Sequence, residues 1–400
     1  MKARLDGQSL LLLVVFGLFS LANALSGTFV NVFLWKMKSD FAFIGWFTFT
    51  QQAAMTIMFY VAGKWVKEGN KMNCLRLGIG LSALFYASVL WLDKAAAQYM
   101  LPLGLVLGAA NGGFWLAYNV IYFEITEANN RDLYNGWTGF IGSCCAMIAP
   151  WVSGLLISGL GGERGYTVIF TASLIVFVTA GIFSFWLHKR PPEGAYRWSL
   201  PFTAWKPKRS PWRAALPALA AQGVREGVFY FLVGLVVYIT TTNELKLGNY
   251  TLITSAVALV SFYLAGRLYR ASYRAPGMIA GSVAMAAAIV PLFIQVNYAM
   301  LILFGVITSL FSPLFIVPMT SSTFDIMGRD EESVKQRVEL TVVREFGLLA
   351  GRLLGIAAFI ALVSWRSGQP AIVSFLAVTG SVPILSALFM QRLVKQGAKP

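Results

Sequence analysis

Twelve apolar stretches, each long enough to cross a lipid bilayer, follow one another along this chain with only short polar gaps between them. The first six run over about 9–34, 42–63, 74–92, 98–122, 137–159 and 166–187. The second six run over about 213–240, 248–266, 277–295, 298–324, 338–364 and 370–391. A bilayer core of roughly 30 Å takes ~20 apolar residues per helical span, so twelve spans consume ~240 residues and leave only short connections. In hydrocarbon every backbone amide must be satisfied inside its own segment, which makes such stretches helices. A soluble globule is excluded, because 57% of the residues are hydrophobic and only 12% are charged. The predicted fold is an all-α membrane protein of twelve transmembrane helices in two six-helix bundles.

The midpoint is different in kind. His188-Lys189-Arg190-Pro191-Pro192 onward to Lys206-Pro207-Lys208-Arg209-Ser210-Pro211 is charged and rich in proline, which excludes a span. This divides the chain into an N-terminal bundle at 1–187, a linker at 188–212 and a C-terminal bundle at 213–400. Two echoes support a duplication. Gly63-Lys64 ends the second span and Gly266-Arg267 ends the eighth; Glu124 and Glu127 follow the fourth, and Asp325 follows the tenth.

The N-terminus, with Lys2 and Arg4 before the run Leu10 to Leu21, imitates a cleavable leader, but the apolar stretch continues through Val30 and Leu34 to spanning length. It is expected to be the first helix. The formal charge of +15 would suit nucleic acid in a soluble domain. Here the basic residues occupy the gaps between apolar runs, 23 on one side of the membrane against 6 on the other. That asymmetry predicts a cytoplasmic linker and cytoplasmic termini in a cell membrane, and no nucleic-acid partner. The three cysteines, Cys74, Cys144 and Cys145, form no CxxC pair, and His188 is the single histidine, so neither a metal site nor a cofactor is expected. No nucleophile–base set or phosphate loop stands in the polar gaps, so the chain is not expected to be an enzyme.

This layout resembles the major facilitator superfamily over essentially the whole chain. In the fifth span Gly142, Ala149-Pro150 and Gly154 are similar to the glycine and proline signature of that family's antiporters. The loop after the second span, with Gly63, Lys64 and Lys71, is similar to its basic gating loop, with Lys67 where an Asp is usual. Asn111 stands where drug and proton antiporters carry a basic residue. The resemblance implies transport of a small-molecule substrate by alternating access, a monomeric state, and gating roles for Gly63, Lys64 and Pro150. It also implies that the first, fourth, seventh and tenth helices line the cavity.

An ionisable side chain at mid-bilayer costs ~2.5–3.5 kcal/mol on insertion scales and marks a functional candidate. Arg225 and Glu226 in the seventh span and Arg352 in the eleventh lie ~20 Å from their helix starts, near the midplane. Neighbours on a helix point ~100° apart, so Glu226 is expected to pair with Arg352 across helices. The pair reads equally as a proton-coupling site or as a permanent ion pair. The first half offers polar stripes instead: Ser20, Asn23, Gly27 and Asn31 in the first span, and Asn111, Trp115, Tyr118 and Asn119 in the fourth. Such faces suit a polyol, sugar or amphiphile, or else bond between helices. Gln222, Glu226 and Tyr230 share one face of the seventh helix by four-residue spacing. Glu339, Arg344 and Glu345 make a charged cluster where the eleventh span begins, read either as a solvated helix end or as a gating latch.

Small-residue ladders at Gly104, Gly108 and Gly112 and at Gly347, Gly351 and Gly355 permit close helix approach. The leading expectation is a proton-coupled carrier of a small organic solute, leaning to export. A lipid or glycolipid flippase and a sugar-type uptake symporter remain alternatives on the same scaffold.

Overall fold

The computed structural model describes residues 5–126, 130–192, 194–268 and 273–397. Lys2, Arg4 and Glu127 lie outside them. Among the described residues there are twelve long helices and no strand. They are α1 (Gly7–Met37), α2 (Phe41–Glu68), α3 (Lys71–Leu92), α4 (Met100–Ile125), α5 (Arg131–Leu160) and α6 (Glu163–Ser184). After the linker come α7 (Trp212–Thr241), α8 (Glu244–Leu268), α9 (Arg274–Ala287, resuming as Val290–Ile294), α10 (Tyr298–Met327), α11 (Arg337–Trp365) and α12 (Gln369–Gly397). Eleven of these meet both the length and the hydropathy of a membrane span. The twelfth, α2, has the length but carries Thr48, Thr50, Gln51, Gln52 and Thr56 in its middle. Burial makes that polarity tolerable: Gln51 and Gln52 are buried, and the hydroxyls of Thr48 and Thr56 donate back to the carbonyls of Ile44 and Gln52.

Local chemistry sets the helix ends. Asn70 begins α3 by accepting from Met72 N at 3.1 Å, and Asn297 begins α10 by accepting from Met300 N at 2.9 Å. Between α5 and α6, Gly161 and Gly162 adopt φ of 76° and 41°, left-handed values that a residue with a Cβ resists.

The chain forms two compact units. One comprises Met1–Asp40, Thr50–Tyr196 and Asn243–Leu252; the other comprises Phe41–Phe49, Arg197–Thr242 and Ile253–Pro400. In the first, α1 packs on α5 and α6, and α3 packs on α4 and α6. In the second, α7 packs on α11 and α12, and α9 packs on α10 and α12. The second pattern is the first shifted by six helices, as a duplicated bundle requires.

The charge echo has a structural counterpart as well. At the start of α3 the fully buried Lys71 ammonium bonds Glu124 at the end of α4. At the start of α9, Arg274 Nη1 lies 2.9 Å from Asp325 Oδ2 near the end of α10. Each unit thus closes the same helix pair at the same end with one cation and one carboxylate.

Candidate functional site

Glycine decides how α7 and α11 meet. A Cβ at Gly355 would stand 2.7 Å from Val224 O, and one at Gly227 would stand 2.8 Å from Arg352 Cα. Cβ atoms at Gly223 and Gly351 would run into the Leu348 and Ala220 carbonyls. Five glycines, Gly223, Gly227, Gly347, Gly351 and Gly355, therefore let two backbones touch along several turns. That seam carries Arg352 directly beside Glu226.

The two residues are joined: Arg352 Nη2 donates to Glu226 Oε2 at 3.0 Å. Glu226 stands 14 residues past Trp212 and Arg352 15 residues past Arg337, so each lies about 21–22 Å along its helix at 1.5 Å per residue. Arg352 has a second partner, since its Nη1 donates to Glu345 Oε1 at 2.6 Å. Seven residues of helix turn through 700°, within ~20° of the same direction, and side chains lean toward the helix N-terminus, so Arg352 reaches back two turns to Glu345. Gln222 completes the group: its Nε2 donates to Glu226 Oε1 at 2.6 Å.

The members differ in access. The side chain of Glu345 is 5% exposed and that of Arg352 14%, while that of Glu226 is 37% exposed. Opened toward lipid, an ionised carboxylate at mid-helix costs ~2.5–3.5 kcal/mol on insertion scales, a cost that water on its open side removes. Arg225 turns elsewhere and lays its guanidinium over the Phe229 ring, 4.4 Å from the centroid. With all four groups ionised, Arg225, Glu226, Glu345 and Arg352 sum to zero; one proton on Glu226 makes the set +1. Tyr230, one turn beyond Glu226, is exposed.

The charges foreseen as a gating cluster at the start of α11 each have a partner elsewhere. Glu345 belongs to the Arg352 site, Arg344 lies over the Phe324 ring at 5.8 Å, and the fully buried Glu339 accepts from Arg197 N at 3.0 Å. Sequence neighbours on a helix diverge by 100°, and that angle separates Arg344 from Glu345.

In the other unit the polar stripes are partly as expected. Ser20, Asn23, Gly27 and Asn31 are all half-buried on one face of α1, as are Asn111, Trp115 and Asn119 on α4. Asn23 spends its amide on Phe19 O at 3.0 Å, whereas Asn31 Oδ1 is buried without a hydrogen-bond partner. Tyr118 departs from the stripe: it is buried, stacks on Phe16 at 5.2 Å, and its hydroxyl lies 3.3 Å from that of Tyr134. Position 118, seven residues past 111, returns to within ~20° of the Asn111 direction, so it is packing against Phe16 and Tyr134, and not helical angle, that closes Tyr118 off. Gly104 aside, the α4 ladder does what small residues do, with Cβ positions at Gly108 and Gly112 closed off by Gln51, Ala54, Met55 and Met58 of α2.

Gly63 meets the linker, a contact that sequence reasoning missed. A Cβ on Gly63 would lie 2.6 Å from the Tyr196 hydroxyl, and Tyr196 N donates to Glu68 Oε1 at 2.7 Å. Lys64 stands 3.8 Å from the other Glu68 oxygen as an exposed i,i+4 pair. An aromatic residue inside a polar linker was the available signal. Pro150 and Gly154 form a flat face for the first turns of α8: Cβ atoms would lie 2.7 Å from Glu244 O at Gly154 and 2.9 Å from Pro150 O at Gly248. Beside them Lys36 Nζ bonds Glu244 Oε1 at 2.7 Å, and the Tyr166 hydroxyl donates to the same oxygen at 3.3 Å.

Comparison with known proteins bears on this architecture. A family model described as Major Facilitator Superfamily matches residues 12–271. The uncharacterized protein YqgE of Bacillus subtilis (strain 168) is 38% identical over 371 residues, covering 93% of this chain and 86% of that protein. An uncharacterized protein in the sodM 3' region of Geobacillus stearothermophilus is 42% identical over 171 residues, 43% of this chain and 80% of that sequence. Among solved structures, a D-xylose-proton symporter superposes with a TM-score of 0.72 at 12% identity, covering 96% of this chain and 97% of that one. A bacterial homologue of the iron transporter ferroportin, in an outward-facing state with soaked iron, gives 0.66 at 14% identity, with 96% and 98% covered. At such identities these two likenesses speak to the fold alone. The family match spans well over half of the chain and agrees with twelve helices in a repeated six-helix pattern: this multi-pass membrane protein belongs to the major facilitator superfamily of transporters.

Proposed function

We propose that the chain is a secondary-active, proton-coupled carrier of a small organic solute that works by alternating access. Its halves, 1–187 and 213–400, rock about a midplane site while the 188–212 linker tethers them, and it acts as a monomer in the cell membrane with both termini in the cytoplasm. The observation that carries this reading is the Glu226 carboxylate, accessible halfway along α7 and tied to Arg352. A proton on that carboxylate weakens its hold on the guanidinium and changes the charge of the site, so protonation and conformation become linked. The 23-to-6 distribution of Lys and Arg supports the orientation.

Direction has two readings. The Gly142, Ala149-Pro150 and Gly154 pattern favours export. The half-buried amides Asn23, Asn31, Asn111 and Asn119, with Trp115 among them, favour an uptake symporter for a hydroxylated solute. In either case Gln222, Glu226 and Tyr230 face the solute from α7, and Gly63, Lys64, Pro150, Glu339, Arg344 and Glu345 serve the gates or their supports.

The test uses proteoliposomes with a solute first found by ligand-dependent melting of the purified chain. Under an imposed pH gradient, Glu226→Gln loses at least 10-fold in solute accumulation yet retains solute exchange at equal pH. Full gradient-driven accumulation by Glu226→Gln removes this carboxylate from coupling.

A further inference from the structure

Glu226 is held in the way a bound carboxylate would be held. Its two oxygens are taken by two donors from different helices, Arg352 Nη2 at 3.0 Å and Gln222 Nε2 at 2.6 Å. Neither donor needs Glu226 to stay in place. Arg352 is anchored through Nη1 by the buried Glu345 and by the glycine seam, and Gln222 is itself buried on α7. Glu226 itself is the open member of the group. A guanidinium stays charged at any physiological pH and binds carboxylates in a fixed planar geometry. Once Glu226 carries a proton, Arg352 keeps Glu345 at Nη1, while the two donors that held Glu226, Arg352 Nη2 and Gln222 Nε2, no longer face a charged carboxylate.

We propose that this donor pair then receives the carboxylate of the solute, so that the substrate is an organic monocarboxylate and Glu226 fills its seat in the empty carrier. The inference rests on the proton-coupled reading and selects its symport form, one proton travelling with each carboxylate. Charge accounting favours it. Arg225, Arg352, Glu226 and Glu345 sum to zero when ionised, and protonation leaves +1. A neutral solute leaves that charge at mid-membrane and a cation increases it, whereas a monoanion returns the set to zero. Among the described residues the other charges of this unit are engaged or distant in sequence: α12 has none over 369–391, the segment 41–49 has none, Asp325 of α10 is paired with Arg274, Arg344 of α11 lies over Phe324 and Arg267 of α8 over Tyr263.

The experiment is ligand-dependent melting of the purified full-length protein in detergent at pH 5.5 and 7.5. The probes are acetate, lactate, benzoate and gluconate, each beside its amide, with benzylammonium as the cation. The expected result is stabilisation by at least one carboxylate, at least 10-fold tighter at pH 5.5 than at 7.5, with none by its amide. Glu226→Gln binds that carboxylate equally at both pH values. Arg352→Lys and Gln222→Leu each weaken it about 10-fold or more, the second variant leaving every charge in place should the first fail to fold. Stabilisation confined to amides or to benzylammonium, no stabilisation by any carboxylate, or carboxylate binding indifferent to Gln222→Leu overturns the inference. A pH-driven, Glu226-dependent flux of a neutral or cationic solute would do the same while leaving the carrier reading intact.

Discussion

Arg352→Met is expected to lose about 3–5 kcal/mol of stability, the usual cost of removing one partner from a buried ion pair. The loss has a specific origin. Arg352 satisfies Glu226 and Glu345 at once, so its removal leaves two carboxylates near each other inside a helix bundle with no cation between them. Methionine fills nearly the same volume, which keeps packing out of the comparison. Two further measurements separate charge from shape. Acidic buffer, which discharges the carboxylates, should restore part of the melting temperature of Arg352→Met but not raise that of the wild type equally. The triple variant Arg352→Met/Glu226→Gln/Glu345→Gln should recover part of the loss, because an amide costs far less to bury than an unpaired carboxylate. A triple variant no more stable than Arg352→Met would show that the guanidinium matters for packing rather than for charge.

Gly351→Leu is expected to be the most damaging substitution that leaves every charge untouched. Its Cβ alone would collide with the Ala220 carbonyl, and that backbone sits within α7 and cannot rotate aside as a side chain can. Overpacking of this kind costs ~3 kcal/mol when neither helix gives way. If the helices do move apart instead, Arg352 is carried away from Glu226, and transport fails while the fold survives. Melting temperature and monodispersity in detergent read the first outcome, and solute flux reads the second. A variant normal in both would refute the close seam. Gly80, which has open space around its Cβ position, supplies the control, and Gly80→Ala should be silent.

Much of this molecule is legible along the chain, and the residues show why. The spans are legible because the cost of placing a side chain in hydrocarbon is a local quantity that adds along the sequence. The α2 segment shows the limit of that addition: its Thr and Gln residues lower its hydropathy below the other eleven helices, and it is helical because neighbours bury them. The pairing of Glu226 with Arg352 is legible from depth, since each is an expensive charge at the same level of a different helix. Glu345 is not legible by proximity along the chain, which groups it with Arg344 and Glu339. Helical angle assigns it correctly, because seven residues return to nearly the same direction and one residue does not. Tyr118 shows the converse: seven residues past Asn111 it nearly shares that direction, yet Phe16 and Tyr134 pack against it and bury it. Tyr196 is hidden for another reason: its seat on Gly63 depends on a turn of the linker that no periodicity announces.

Chain order and side-chain polarity thus suffice for the number of spans, the six-plus-six repeat and the places where charge is trapped in the membrane, because each depends on free energies that single residues carry with them. Which charges share a partner, and which polar faces stay open, depends on the contacts between helices. Those contacts are set by where glycines let backbones touch, and the value of a glycine at such a place belongs to the surface opposite it.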